Sequence, residues 1–195
     1  TIDRYISFAH RTTWLRLDYV LTSYSDKKFI VIGAGELQIP LIKAAKNLGL
    51  TVITTDKNAQ APGFELSDDF IIADTMNAQE SLNNIQKYVA LKGEIHGVAT
   101  AGTDASYTVA TIAHYFNLPG HHPNAALNAS DKSLMRNAFE KAGVSIPLYK
   151  TVTNLEEALS FFEELNHLCV VKPTRNMGAR GISLVRSVEE LTRAI

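Results

Sequence analysis

The sequence holds a single cysteine, Cys169. That excludes an internal disulfide and any CxxC redox or metal motif, and a reducing, cytoplasmic compartment fits such usage. Net charge is equally scarce: 19 basic residues against 20 acidic ones leave a formal −1. No broad positive field therefore points to nucleic acid or an anionic membrane surface, and a charged ligand has to be met by local groups. No apolar run approaches the roughly 20 residues that a bilayer span needs. Asp3, Arg4, Arg11, Arg16 and Asp18 interrupt the apolar stretches of the N-terminus, which argues against a secretory signal. GxxxxGK[ST] does not occur, so there is no P-loop. His96 and His114 have no partner at metal spacing, the adjacent His121 and His122 are poorly arranged to share one ion, and no metal site is expected in the chain. What remains is the composition of an ordinary globular protein, 46% hydrophobic and 20% charged. Its 195 residues suffice for one large domain, or for one domain and part of a second.

Residues 1–27 stand apart. Trp14, Leu15, Leu17, Val20 and Leu21 make them apolar enough to pack on something, but without clear periodicity. They read either as a partner-binding arm, for instance one forming a homodimer, or as an extension without chemistry. The chain begins at Thr1 rather than methionine, as expected of a processed or excerpted piece.

From Phe29 the pattern becomes regular. Phe29–Ile32 is an apolar, β-branched run suited to a strand buried on both faces. Leu37, Leu41, Ala44, Ala45 and Leu48 follow at helical spacing, with Gly49 as a stop. Thr51–Thr55, Phe70–Ile72 and Gly97–Thr100 read as further strands, Ala78–Ala90 and Asp104–Phe116 as helices. Strands alternating with helices in this way predict βαβ units and a Rossmann-like parallel sheet over residues 28–122.

Near Pro123 the grammar changes. Ser130 is an N-cap candidate for a helix running to Gly143. Leu148–Val152 reads as a strand, and Thr153 with Glu156 as a capping box. Leu168–Lys172 and Ile182–Val185 read as strands joined by a glycine-rich loop, and Ser187 with Glu190 caps a last helix. Residues 123–195 are thus expected to begin a second, α+β domain that the chain does not complete.

Two segments carry chemistry. Gly33-Ala34-Gly35 joins a strand to a helix start, where glycine permits close backbone approach and free N–H groups favour an anion. Asp56 lies about 20 residues on, where a dinucleotide enzyme places its ribose carboxylate, but Gln38 stands at the third glycine of that fingerprint. Three readings stay open for this turn: an NAD-dependent oxidoreductase domain, a tight βα turn demanded by the fold alone, and a site for a small anionic substrate oriented by Glu36. Thr103 and Asp104, at the carboxyl edge of the same sheet, are further substrate candidates. In the second segment, Lys172 closes an apolar strand ahead of Arg175-Asn176-Met177-Gly178-Ala179-Arg180-Gly181. A lysine so placed meets phosphate as a point charge, two glycines let the loop bend over an anion, and Arg180 adds a charge-assisted bond. Lys132 sits in the first turn of its helix, where a cation opposes the dipole unless something anionic offsets it.

Gly33-Ala34-Gly35-Glu36-Leu37, Ala44-Ala45, Leu48-Gly49, Val52, Asp56 and Ala61-Pro62, followed by Lys132, Lys172 and the 175–181 loop, together resemble the ATP-grasp carboxylate–amine ligases. The purine-biosynthesis and carbamoyl-phosphate-synthase types are the most similar. The resemblance covers about residue 28 to Ile195. It implies that ATP is bound by Lys132, Lys172, Arg136, Asn176, Met177, Gly178, Ala179, Arg180 and Gly181, with the loop as a lid over the phosphates. Gly33, Gly35, Glu36, Leu37, Thr103 and Asp104 would face substrate. It further implies an acylphosphate intermediate, small-molecule carboxylate and amine (or thiol) partners, and Mg2+ held by acidic residues beyond residue 195, so that these residues alone would not turn over. A non-catalytic binding or assembly module is the remaining alternative.

Overall fold

In the computed structural model, the described residues are 24–176 and 178–195, together with the backbone of two short strands, β1 (Tyr5–Ile6) and β2 (Leu15–Arg16), which pair antiparallel. The arm expected over residues 1–27 lies largely outside them, as does Met177.

Four strands make one parallel sheet: β3 (Lys28–Ile32), β4 (Thr51–Asp56), β5 (Asp69–Ile72) and β6 (Gly97–Ala99), in the order β5-β4-β3-β6. Its two faces explain the continuous apolar runs. Val31 and Val52 point to one side and pack on Ile42 and Ala45 of α1 (Ile39–Asn47). Ile30, Ile32 and Ile53 point to the other, against Leu82 and Ile85 of α2 (Ala78–Lys92) and Ile112 of α3 (Ser106–Tyr115). Each fully buried isoleucine contributes about 1.5–3 kcal/mol relative to exposure. The edge strand β5 leaves Phe70 and Ile72 half exposed.

The face of α1 that enters the core is Ile42 and Ala45, whereas Leu37 and Leu48 are exposed. The chain enters α1 through a 3-10 turn, Glu36–Gln38, which rotates Leu37 out of the α-helical stripe. Pro40 is accommodated in the first turn, where its missing N–H has no partner to lose.

Four features after residue 122 differ from the sequence pattern. α4 (Pro123–Ser130) is a helix that the histidine–proline junction disguises; the His122 ring nitrogen caps it by accepting the Asn124 N–H at 3.2 Å. Ser130 ends this helix, its hydroxyl donating to the Ala126 carbonyl at 2.8 Å. The N-cap of α5 (Lys132–Lys141) is therefore Asp131 and not Ser130. Leu148–Val152 forms no strand, for it has no ladder to join, and Leu148 is 82% exposed. The cap of α6 (Leu155–Glu164) is shifted by one residue from Thr153: Asn154 accepts the Glu157 N–H at 2.9 Å while Glu157 accepts the Thr153 N–H at 2.9 Å. β7 (Cys169–Val171) and β8 (Ser183–Val185) form an antiparallel pair. With α6 and α7 (Val188–Ala194) they enclose a small core of Ala158, Phe162, Val185 and Leu191, and Ser187 caps α7 as expected. Among the described residues no helix is long and apolar enough to cross a membrane.

Candidate functional site

β3 has β4 and β5 on one side and β6 on the other, so the winding of the sheet reverses between β3 and β6. Parallel sheets bind ligands outside the carboxyl ends of the strands at such a point. Two loops meet there, 33–38 after β3 and 100–105 after β6. Thr100 joins them at the base, its hydroxyl donating to the Ile32 carbonyl at 2.6 Å. Gly102 lies under Leu37: a Cβ there would come within 2.7 Å of the leucine Cβ. The structure thus brings Glu36 and Leu37, both exposed, beside Thr103 and Asp104, both half-buried.

The glycine turn is built differently from an open anion cradle. Gly33 needs its glycine for its φ of +97°, and a Cβ there would also crowd the Gln38 side chain at 3.0 Å. Gly35 is extended, so closeness to Gln38 and not conformation is what constrains it. All three amides of the turn are bound within the protein. Gly33 N–H donates to the Thr55 carbonyl at 2.8 Å, Ala34 N–H to Asp56 Oδ2 at 3.0 Å, and Gly35 N–H to Gln38 Oε1 at 3.0 Å. The other Asp56 oxygen accepts the Asn58 N–H at 2.9 Å. The ribose contact that an NAD reading gives to Asp56 is therefore replaced by a structural one. The expectation of free turn amides for an anionic substrate is likewise corrected: the Thr55 carbonyl holds the Gly33 amide, and the Asp56 and Gln38 side chains hold the other two.

The second group forms where α5 meets the glycine loop, residues more than forty positions apart in part. Lys132 N–H donates to the Thr174 carbonyl at 2.9 Å, and its Nζ donates to the Asn176 carbonyl at 2.8 Å. Asp131, buried, accepts from Ser133 through Oδ1 and from Arg175 Nε through Oδ2 at 2.8 Å. The Ser133 hydroxyl, then the Arg175 guanidinium, with the amides of Ser133 and Leu134, hold the Asp131 carboxyl far below the usual carboxylate range. Arg136 follows one turn after Lys132 on the same side of α5. Lys172 directly follows β7 and is exposed to solvent. The loop itself turns through left-handed backbone at Gly178, Ala179 and Gly181 (φ +69°, +58° and +71°), and Asn176 Nδ2 donates across it to the Arg180 carbonyl at 3.2 Å. Arg180 also lies 3.8 Å from Asp104, which links the loop to the sheet's carboxyl edge. An open cavity of about 630 Å³ is lined by Asp74, Met76, Tyr107, Thr111, Leu127 and Arg175 among others. Among the described residues of the glycine loop, Arg175 alone lines it.

Asp131, Arg175 and Gln38 carry this geometry without having been singled out from the sequence for it. An acidic residue directly before the helix lysine was the available signal for Asp131. For Gln38 it was the substitution of the fingerprint glycine, which reads as a loss until its carboxamide is seen in place.

No family model matches the chain. A formate-dependent phosphoribosylglycinamide formyltransferase of Methanocaldococcus jannaschii is 26% identical over 167 residues, covering 86% of this chain and 42% of that protein. The solved phosphoribosylglycinamide synthetase from Anaerococcus prevotii superposes with a TM-score of 0.61 at 30% identity, over 86% of this chain and 40% of that one. The L-amino acid ligase from Bacillus licheniformis matches in fold with a TM-score of 0.69 at 21% identity, over 87% and 41%. The chain thus spans about two-fifths of the length of these relatives.

Proposed function

The chain belongs to the ATP-grasp superfamily, and from that premise we propose that the protein carrying it is an ATP-dependent carboxylate–amine (or carboxylate–thiol) ligase. Residues 123–195 contribute the first part of the ATP-binding domain, residues 28–122 form the substrate-binding domain, and residues 1–27 are an extension to it. Lys132, Lys172, Arg136 and the loop Asn176, Met177, Gly178, Ala179, Arg180 and Gly181 are assigned to ATP. Gly33, Gly35, Glu36, Leu37, Thr103 and Asp104 are assigned to the crevice that receives substrate.

The observation that carries the reading is the contact between Lys132 and the glycine loop. Two elements distant in sequence bring the Lys132 ammonium group to a glycine-bearing loop that follows Lys172. Cations so gathered fit a triphosphate, and the one buried carboxylate beside them, Asp131, is neutralised by Arg175 and so does not repel it. When nucleotide binds, Lys132 exchanges the Asn176 carbonyl for phosphate oxygen. The substrate carboxylate then attacks the γ-phosphorus and ADP departs. The amine attacks the resulting acylphosphate carbon, releasing inorganic phosphate and a proton. The chain's own part is positioning and charge neutralisation. Mg2+, when bound, shields the charge between phosphates, and no residue of this chain is assigned to it.

The test is ATP affinity and ATP-dependent ligation with Lys172 replaced by alanine in the protein that carries the chain. Undiminished affinity and turnover would sink the phosphate role and favour a binding or assembly module. The 195 residues by themselves are expected to show no ligation, because they span only part of the length of the relatives.

A further inference from the structure

We propose that Gln38 determines what the substrate crevice accepts: its carboxamide closes the glycine turn to phosphate and ties that turn to the loop after β6. Three observations lead there. Gln38 is only 5% exposed, and a buried carboxamide is tolerated when both of its ends are bonded. Here they are. Oε1 accepts the Gly35 N–H and Nε2 donates to the Ala101 carbonyl. A donor on one side and an acceptor on the other leave one orientation of the amide that satisfies both.

The second observation is position. A Cβ on Gly33 would lie 3.0 Å from Gln38 Cδ, and one on Gly35 would lie 3.2 Å from Oε1. The carboxamide therefore covers the backbone of both glycines. In dinucleotide-binding folds that bare backbone receives pyrophosphate; here an uncharged oxygen of the chain itself takes the Gly35 amide. The third is the company it keeps. Ala34 N–H is already held by the Asp56 carboxylate, so the Gly35 amide is the one that Gln38 keeps from an entering phosphate.

The consequence is a crevice that meets its ligand with side chains, not amides. The bond to Ala101, with Leu37 seated over Gly102, fixes the 36–38 turn against the loop that carries Thr103 and Asp104. Gln38 acts through these neighbours, as a positioning residue. The inference concerns the sheet's crevice and stands whether or not residues 123–195 bind ATP.

Pyrophosphate is the probe, titrated into the isotopically labelled full chain and followed at the backbone amides by NMR. In the unaltered chain the Gly35 signal is expected to stay in place. Gln38→Gly, which restores the third fingerprint glycine, is expected to let pyrophosphate move that signal, with affinity raised about tenfold or more for the loss of one competing bond. Gln38→Met keeps the volume but makes neither bond. It is expected to speed Gly35 amide exchange by about tenfold and to shift the Gly102 signal beside the Ala101 carbonyl, still without pyrophosphate binding. Equal pyrophosphate binding at Gly35 before and after Gln38→Gly overturns the closure. Unchanged Gly35 exchange and Gly102 shift in Gln38→Met overturn the tie. If Gln38→Gly does not fold, a pyrophosphate-induced shift at Gly35 in the unaltered chain overturns the closure by itself.

Discussion

The two glycine segments follow strands and look alike in composition, yet the structure uses them in opposite ways. The turn at 33–38 is closed: Gly33 is buried, and the amides of residues 33, 34 and 35 are held by Thr55, Asp56 and Gln38. The loop at 175–181 is open to solvent at Gly178, Ala179, Arg180 and Gly181, and its anchors are long-range ones at its edges, Arg175 to Asp131 and Lys132 to Asn176. Glycine specifies where backbone can bend or be approached. Whether anything reaches it depends on which side chains arrive first, and those come from elsewhere in the chain.

The largest effect that sharpens this contrast is expected at the open loop. On the proposed function, Lys172→Ala should lower the efficiency of ATP-dependent ligation by the protein that carries the chain about 100-fold, in the range seen when one charge-stabilising donor is removed, with an unchanged melting temperature because the side chain is exposed. A drop in melting temperature with activity intact would reverse the assignment. Gly33→Ala tests the closed turn. It places a Cβ at positive φ and 3.0 Å from Gln38 Cδ, and should cost about 1–3 kcal/mol, measured by chemical denaturation. Gly178→Ala, with nothing within 4 Å of the added Cβ, should cost less, and equal losses would erase the contrast.

Asp131→Ala removes both a helix cap and the loop's anchor, and should cost about 1–2 kcal/mol at neutral pH. Its sign with pH is determined by a folded-state pKa lowered from the ordinary value. The stabilisation is complete above the unfolded pKa of about 3.9 and is lost as pH falls below it through the folded value. The stability gap between the unaltered chain and Asp131→Ala should therefore narrow on acidification below about pH 4; a gap that widens there would falsify the carboxylate's role. The smallest effect belongs to a cap remote from both loops. Asn154→Ala should cost about 1 kcal/mol and leave ATP affinity untouched; a change in affinity would mean that α6 is coupled to the nucleotide site.

Much of the sheet was legible. Phe29–Ile32 and Thr51–Thr55 are too uniformly apolar or β-branched to be anything but doubly covered strands, and α2 declares itself through Leu82 and Ile85. The region after residue 122 was less so. His121-His122-Pro123 looks like a connection until His122 is seen capping α4, and Leu148–Val152 has strand composition but no neighbour to pair with. For the candidate site, the residue types were readable but their bonding was not. Lys132 and Lys172 can be picked out as phosphate-seeking cations; that Lys132 rests on the Asn176 carbonyl cannot.

The sequence by itself determined the parallel sheet, the two glycine segments and the charged residues beside them, because periodicity, β-branching and glycine act over a few neighbouring residues. Only the tertiary structure decided which of those segments is closed. The bonds from Gln38 to Ala101, from Asp56 to Ala34 and from Asp131 to Arg175 join residues 63, 22 and 44 positions apart. A hydrogen bond depends on a few tenths of an ångström between partners, and no local pattern records which distant group the fold will deliver to that distance.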